Sequence, residues 1–171
     1  MDKILIVYYS RKGENYWNGS IRNLSKGNTE IVAEIIAEIT GGELFEVETV
    51  RTYAADYYAC IEEAKAELQA EARPALRGYP DCLDAYDTIF VGFPNWWWTM
   101  PMALFTFLEH FDLTGKRILP FCTNEGSGMG NSERDLKKIS KGATVEHGLS
   151  IHGAEAANAR GKVEGWLKTL I

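Results

Sequence analysis

Between Asp84 and Pro94 lies the run Tyr86 to Phe93, YDTIFVGF, which has almost no polar side. A strand with one face in water alternates apolar and polar residues, and this one does not, so both of its faces must be covered. Such a strand sits in the middle of a parallel sheet that carries helices on both sides. The rest of the chain supplies those parts. Ile4 to Tyr9 and Arg117 to Cys122 are further apolar strands, and Glu43 to Val50 alternates well enough for another. Val145 to Ile151 is a short fifth strand, interrupted by Gly148. Helical spacing begins at Asn28 and places Ile31, Val32, Ile35, Ile36 and Ile39 on one face. It recurs over Asp56 to Ala72, Met102 to Phe111, Ser132 to Ile139 and Ala156 to Leu170. Strand and helix alternate five times without a repeat or a low-complexity linker. The spacing predicts one α/β domain over residues 1–171, a three-layer sandwich around a mostly parallel sheet.

Charge and cysteine usage narrow the function. A net charge of −6 disfavours nucleic acid and anionic membrane surfaces, both of which want clustered Lys and Arg. No apolar run approaches the ~20 residues of a membrane span, and the N-terminus has no signal-peptide pattern, so a cytoplasmic location is expected. Cys60, Cys82 and Cys122 are odd in number and lack a C-x-x-C pair, which argues against a disulfide framework or a zinc site. His110, His147 and His152 have no metal-ligand spacing, and the N-x-S sequons at Asn18 and Asn23 mean little without export.

In open α/β sheets a ligand binds beyond the carboxyl ends of the strands. Three such loops are unusual here. The first, from Ser10 to Asn28-Thr29, is far longer than the roughly 2–6 residues common at such joints. Its far end opens a helix, where free N–H groups suit an anion, although Asn28 also reads simply as an N-cap. The second, Phe93 to Pro101, is FPNWWWTMP. Three consecutive indoles point in different directions and cannot all enter one core, so a flat ligand, a packed cluster or a subunit interface must receive at least one. The third, Thr123 to Leu136, contains Gly126, Gly128 and Gly130, which let backbone approach a ligand. Within it Ser132 and Asp135 read as a capping box, and Glu125 as solvated surface.

These residues resemble the flavodoxins and flavodoxin-like FMN proteins over essentially the whole chain. That family's phosphate loop reads roughly [ST]-x-T-G-x-T, and its pieces stand here as Ser10-Arg11 and Gly27-Asn28-Thr29, with residues 12–26 resembling an insertion between them. GFPNWWWTMP resembles the flavin-edge loop of a flavodoxin-like subgroup, approximated by P-x-W-W-x-x-x-P, and PFCTNEGSG resembles its second flavin loop.

The resemblance implies a five-stranded parallel sheet in the order 2-1-3-4-5 and non-covalent FMN. It implies that Ser10, Asn28 and Thr29 hold the phosphate, while Arg11 either adds charge or is a solvated side chain. The ring is expected on one or more of Trp96, Trp97 and Trp98. Its polar edge is expected near Pro94-Asn95 and Thr123-Asn124-Glu125, with Gly126 and Ser127 completing that loop. Aromatic walls and the charge of Glu125 would disfavour added negative charge on the flavin and lower its potential. Two functions follow: an electron carrier serving a redox partner protein, or an NAD(P)H:quinone-type oxidoreductase with a small-molecule acceptor such as a quinone. An FMN-free interaction module is a third. Electron-carrying flavodoxins commonly cover the second flavin face with an aromatic residue of the third loop. Asn124 to Asn131 has none, so that face is expected to be open unless Tyr16 or Trp17 forms a flap over it.

Overall fold

The computed structural model describes residues 3–170. The chain runs through β1 (Lys3–Tyr8), a hairpin of β2 (Gly13–Trp17) and β3 (Ser20–Leu24), α1 (Asn28–Thr40), β4 (Glu43–Glu46) and α2 (Tyr57–Gln69). It continues with β5 (Tyr86–Pro94), α3 (Met102–Glu109), β6 (Arg117–Asn124), α4 (Ser132–Ile139), β7 (Thr144–Val145), β8 (Leu149–His152) and α5 (Arg160–Thr169). The main sheet is ordered β4-β1-β5-β6, with β7 and β8 both beside β6, and every pairing in it is parallel. This is the expected order 2-1-3-4-5, with the fifth strand in two pieces.

The apolar run that anchored the prediction is indeed covered on both sides. Ile89, Val91 and Phe93 point into one core with Leu104, Phe107 and Leu136, while Phe90 points into the other with Ile36, Val163 and Trp166. Alternate residues of one strand thus feed two separate cores, which is why the run needs no polar face.

The break in the fifth strand has a local cause. Ile118 pairs with Val145 and Phe121 with Leu149, leaving Leu119 and Pro120 without partners on that side. Pro120 has no N–H to offer a neighbour. Opposite it, Gly148 turns its own N–H to the Glu133 carboxylate at 2.8 Å. A Cβ on Gly148 would stand 2.3 Å from Met129 Cε and 3.1 Å from the Pro120 carbonyl oxygen, so a larger residue at this crossing must displace the Met129 side chain.

Several sequence expectations require correction. The second strand ends at Glu46 rather than Val50, because Thr49 bridges antiparallel to Leu76 instead. The closing helix starts at Arg160, after a 3-10 turn over Gly153–Asn158. The capping box at Ser132 and Asp135 does not form: Ser132 donates to the Met129 carbonyl, and Asp135 accepts from Thr99 Oγ1 at 2.5 Å. The insertion over residues 12–26 is an antiparallel hairpin, closed where Trp17 faces Ser20 across Asn18-Gly19. Both turn residues have positive φ, 51° and 88°, the type I′ geometry for which Asn-Gly is the favoured pair. Among the described residues no helix is long and apolar enough to cross a membrane.

Candidate functional site

A cavity of about 380 Å³ opens at the carboxyl ends of β1, β5 and β6. The three loops singled out in the sequence meet there. Asn28, Thr29 and Arg11 line it from the first loop, Pro94 to Trp98 from the second, and Thr123, Asn124, Glu125 and Ser127 from the third. Ser10 and Gly126 do not line it.

Each loop is held by the others. Thr123 is the junction: its buried hydroxyl lies 2.7 Å from that of Thr29, and its carbonyl accepts the Asn95 N–H at 2.9 Å. Asn124 shapes the third loop, its Oδ1 accepting from the N–H groups of Gly126 and Gly128 at 3.0 and 3.1 Å. Ser10 Oγ accepts from the Glu30 N–H at 3.1 Å, capping α1 from a distance and leaving the Asn28 and Thr29 amides at the helix mouth. The N-cap residue itself is Gly27, so Asn28 is the first helical residue and not a side-chain cap. Asn28 Oδ1 is buried without a hydrogen-bond partner among the described residues. Arg11 is half-buried and commits part of its guanidinium to backbone carbonyls. Its Nε donates to the Glu14 carbonyl at 3.0 Å, and its Nη2 to those of Ala54 and Ala55, each at 3.1 Å.

The tryptophans separate into three environments. Trp96 packs edge-on to Tyr9 and Tyr53, with centroids 5.2 and 5.0 Å apart, and joins the core. Trp97 donates its indole N–H to the Ile61 carbonyl at 2.8 Å, with Lys65 Nζ 5.3 Å from the ring centroid. Trp98 is 57% exposed. Trp96 and Thr99 close a tight turn between them, and the two residues at its tip, Trp97 and Trp98, have φ of 56° and 73°. This is a type I′ turn made of two tryptophans, where glycine and asparagine are the low-energy choices. Strain of this kind persists where the surroundings enforce it and clusters at ligand sites. The Asn95 carboxamide does part of the enforcing, accepting from the Trp98 N–H at 2.9 Å and donating to the Gly128 carbonyl at 2.9 Å. Trp98→Gly is therefore expected to raise folding stability by about 0.5–1 kcal/mol, left-handed relief of ~1–2 kcal/mol exceeding the entropy cost of glycine. Thermal unfolding of the variant checks this.

The sequence reading missed part of the wall. Asn15 and Tyr16 of the hairpin, Tyr57, Cys60, Ile61 and Ala64 of α2, and Gly153 also line the cavity. Tyr16 rests edge-on against Tyr57 at 4.8 Å, so the cavity has tyrosine surface that the third loop lacks. Trp17 instead lies under the Arg22 guanidinium, 4.7 Å from its ring centroid, and does not line the cavity. Burial pushes the thiol of Cys60 and the hydroxyl of Tyr57 upward, so both are protonated at neutral pH and present neutral surface. Cys122, fully buried in the core, is pushed up to about 12 by that burial. Glu125 is not free solvated surface. Its Oε1 accepts from the Asn18 N–H at 3.0 Å, and its Oε2 lies 3.0 Å from His152 Nε2.

Residues 21–170 match a protein-family model described as flavodoxin. The chain belongs to the flavodoxin family. Among curated proteins none matches the sequence. Solved structures similar to this flavodoxin include a candidate flavoprotein of Bacteroides uniformis, 30% identical, covering 98% of each chain with a TM-score of 0.79. Another, from Bacteroides eggerthii, is 26% identical over 99% of this chain and 98% of its own, also at 0.79. A flavoprotein of Lactobacillus acidophilus, solved in complex with FMN, is 24% identical over 98% of this chain and 99% of its own, at 0.66. FMN is the cofactor of the family, and this cavity's residues fit it. The helix mouth suits a phosphate, the unpartnered Asn28 Oδ1 can accept from a hydroxyl, and the indole and tyrosine surfaces suit a flat ring.

Proposed function

We propose that this flavodoxin carries electrons for redox partners through one non-covalently bound FMN. The observation that carries the reading is the convergence on one cavity of an anion-competent helix mouth and an aromatic turn. The flavin, when bound, supplies the redox chemistry. The chain's own residues do the rest. The Asn28 and Thr29 amides hold the phosphate, and Asn28 Oδ1 accepts from a hydroxyl of the ribityl arm. The tryptophan turn receives the ring, backbone groups at Asn95 and Thr123-Asn124 meet its polar edge, and Tyr16 with Tyr57 keeps water off it. The surplus of 24 acidic over 18 basic residues favours basic redox partners.

Anaerobic titration of the FMN-loaded chain tests the assignment. A stable one-electron-reduced spectrum is expected of a carrier. Direct two-electron bleaching by a nicotinamide would replace this reading with that of an oxidoreductase acting on an acceptor such as a quinone.

The binding residues have their own test. The Thr29 hydroxyl, accepting from Thr123 Oγ1, is assigned as a further donor to the phosphate beside the amides. Thr29→Val is therefore expected to weaken FMN by about 1–3 kcal/mol while leaving riboflavin nearly unchanged, the loss of a charge-assisted hydrogen bond. Asn28→Ala is expected to weaken both ligands, because its acceptor serves the arm they share. Fluorescence titration with the two flavins separates the cases, and equal losses for Thr29→Val would place the phosphate elsewhere.

A further inference from the structure

The hairpin is an odd structural object. Its two strands pair only with each other, and a two-stranded ribbon is marginal on its own. Side chains must therefore hold it down. At its base Asn15 Nδ2 donates to the Arg11 carbonyl at 2.9 Å, and the Glu14 carboxylate accepts from the Tyr57 N–H at 2.8 Å, capping α2. At mid-length the Tyr16 ring meets Tyr57 inside the cavity, and its hydroxyl lies 3.3 Å from that of Tyr58. At the tip three elements converge. The Asn18 N–H donates to Glu125 Oε1 of the third loop, and His152 Nε2, at the end of β8, lies 2.8 Å from Asn18 Oδ1 and 3.0 Å from Glu125 Oε2.

We infer that Asn18, Glu125 and His152 form a latch, and that the hairpin is a gate which must swing clear for the flavin to enter or leave. The inference rests on the FMN reading of the cavity. The tip is fastened by polar contacts between partly exposed side chains, which break far more cheaply than core packing. The base is fixed by the chain and by Arg11, and Gly13, with φ of 88°, stands at the pivot. Opening lifts Tyr16 from the cavity and leaves the tryptophan turn and the helix mouth in place.

A gate has a kinetic signature that a mere contact lacks. If the closed hairpin blocks passage with and without ligand, unfastening it speeds uptake and release by the same factor and leaves Kd unchanged. A residue that only touches the bound flavin changes release alone.

The test uses Asn18→Gly, which preserves the type I′ turn while removing the acceptor for His152, and His152→Ala, which removes the donor. Neither residue lines the cavity. FMN uptake is followed by stopped-flow quenching, and release by dilution of the loaded full chain. Each variant is expected to accelerate both rates about tenfold, the factor of one ordinary hydrogen bond of net ~1.4 kcal/mol. His152→Gln, which can restore a donor, should bring the rates back toward those of the parent. Unchanged rates, or faster release alone, would overturn the gate while leaving the cavity's assignment intact. A parent chain that takes up no FMN would overturn both.

Discussion

Truncating Trp96 to Ala is expected to cost about 3 kcal/mol of folding stability, at the low end for a tryptophan removed from a core because the ring is only partly buried. The cost comes from two places. The indole fills the space between Tyr9 and Tyr53, which meet it edge-on, and each such pair is worth about 0.5–1.5 kcal/mol beyond the area it buries. Its removal also leaves a void at the edge of the core it packs against. For a chain of this size the midpoint of thermal unfolding should fall by about 6–12 °C. Trp98→Leu should behave in the opposite way. Its ring is exposed, so stability should hold, while bound FMN should regain emission if this indole is what quenches it. A Trp96→Ala protein that melts with the parent would show that the ring packs against the ligand and not the core.

The second large effect is at Gly27. Its φ of −67° is open to any residue, so the penalty for Gly27→Ala is steric alone. A Cβ there would lie 2.1 Å from Ser10 Oγ and 2.6 Å from the Arg11 carbonyl oxygen. Neither neighbour yields cheaply. Ser10 caps α1, and Arg11 is tied through its guanidinium to three carbonyls. Overpacking of about 1–3 kcal/mol plus a lost cap of ~1 kcal/mol gives an expected loss of about 2–4 kcal/mol. Gly165→Ala, in α5 with open space around the new methyl, is the control and should gain up to about 1 kcal/mol. Denaturant midpoints of the two variants should move in opposite directions. FMN affinity should fall with the first only, since the helix mouth must shift to admit the methyl group.

What the sequence made legible, and what it did not, divides along physical lines. Tyr86 to Phe93 announced a central strand because burial on both faces leaves no alternative pattern. The strand-end loops were legible for a related reason, since glycines, adjacent indoles and a helix-opening Asn-Thr are each costly to place anywhere else. The hairpin was legible in principle. Asn18-Gly19 is the favoured pair for a two-residue hairpin turn, but its flanks, GENYW and SIRNL, lack the alternation of strands, so locally the pair reads equally as part of a sequon. The Ser132–Asp135 reading failed because Asp135 has a better partner, the Thr99 hydroxyl, brought from another loop. Tyr57, Cys60, Ile61 and Gly153 carry no local mark at all. They reach the cavity only because α2 and the turn after β8 pack where they do, and no window of sequence contains that information.

The turn at Trp97-Trp98 has a consequence for anyone redesigning this chain. Given the backbone alone, a designer would write Asn-Gly at its tip, since every local preference points there. The sequence writes the two bulkiest side chains instead, so on the proposed reading this turn is where folding preference and ligand contact part company. Procedures that stabilise proteins by restoring locally preferred residues would edit these positions early and report an improvement. On the proposed ring placement the edited protein would hold its flavin less well, and losing the Trp97 indole bond to the Ile61 carbonyl would take back part of the stability gained.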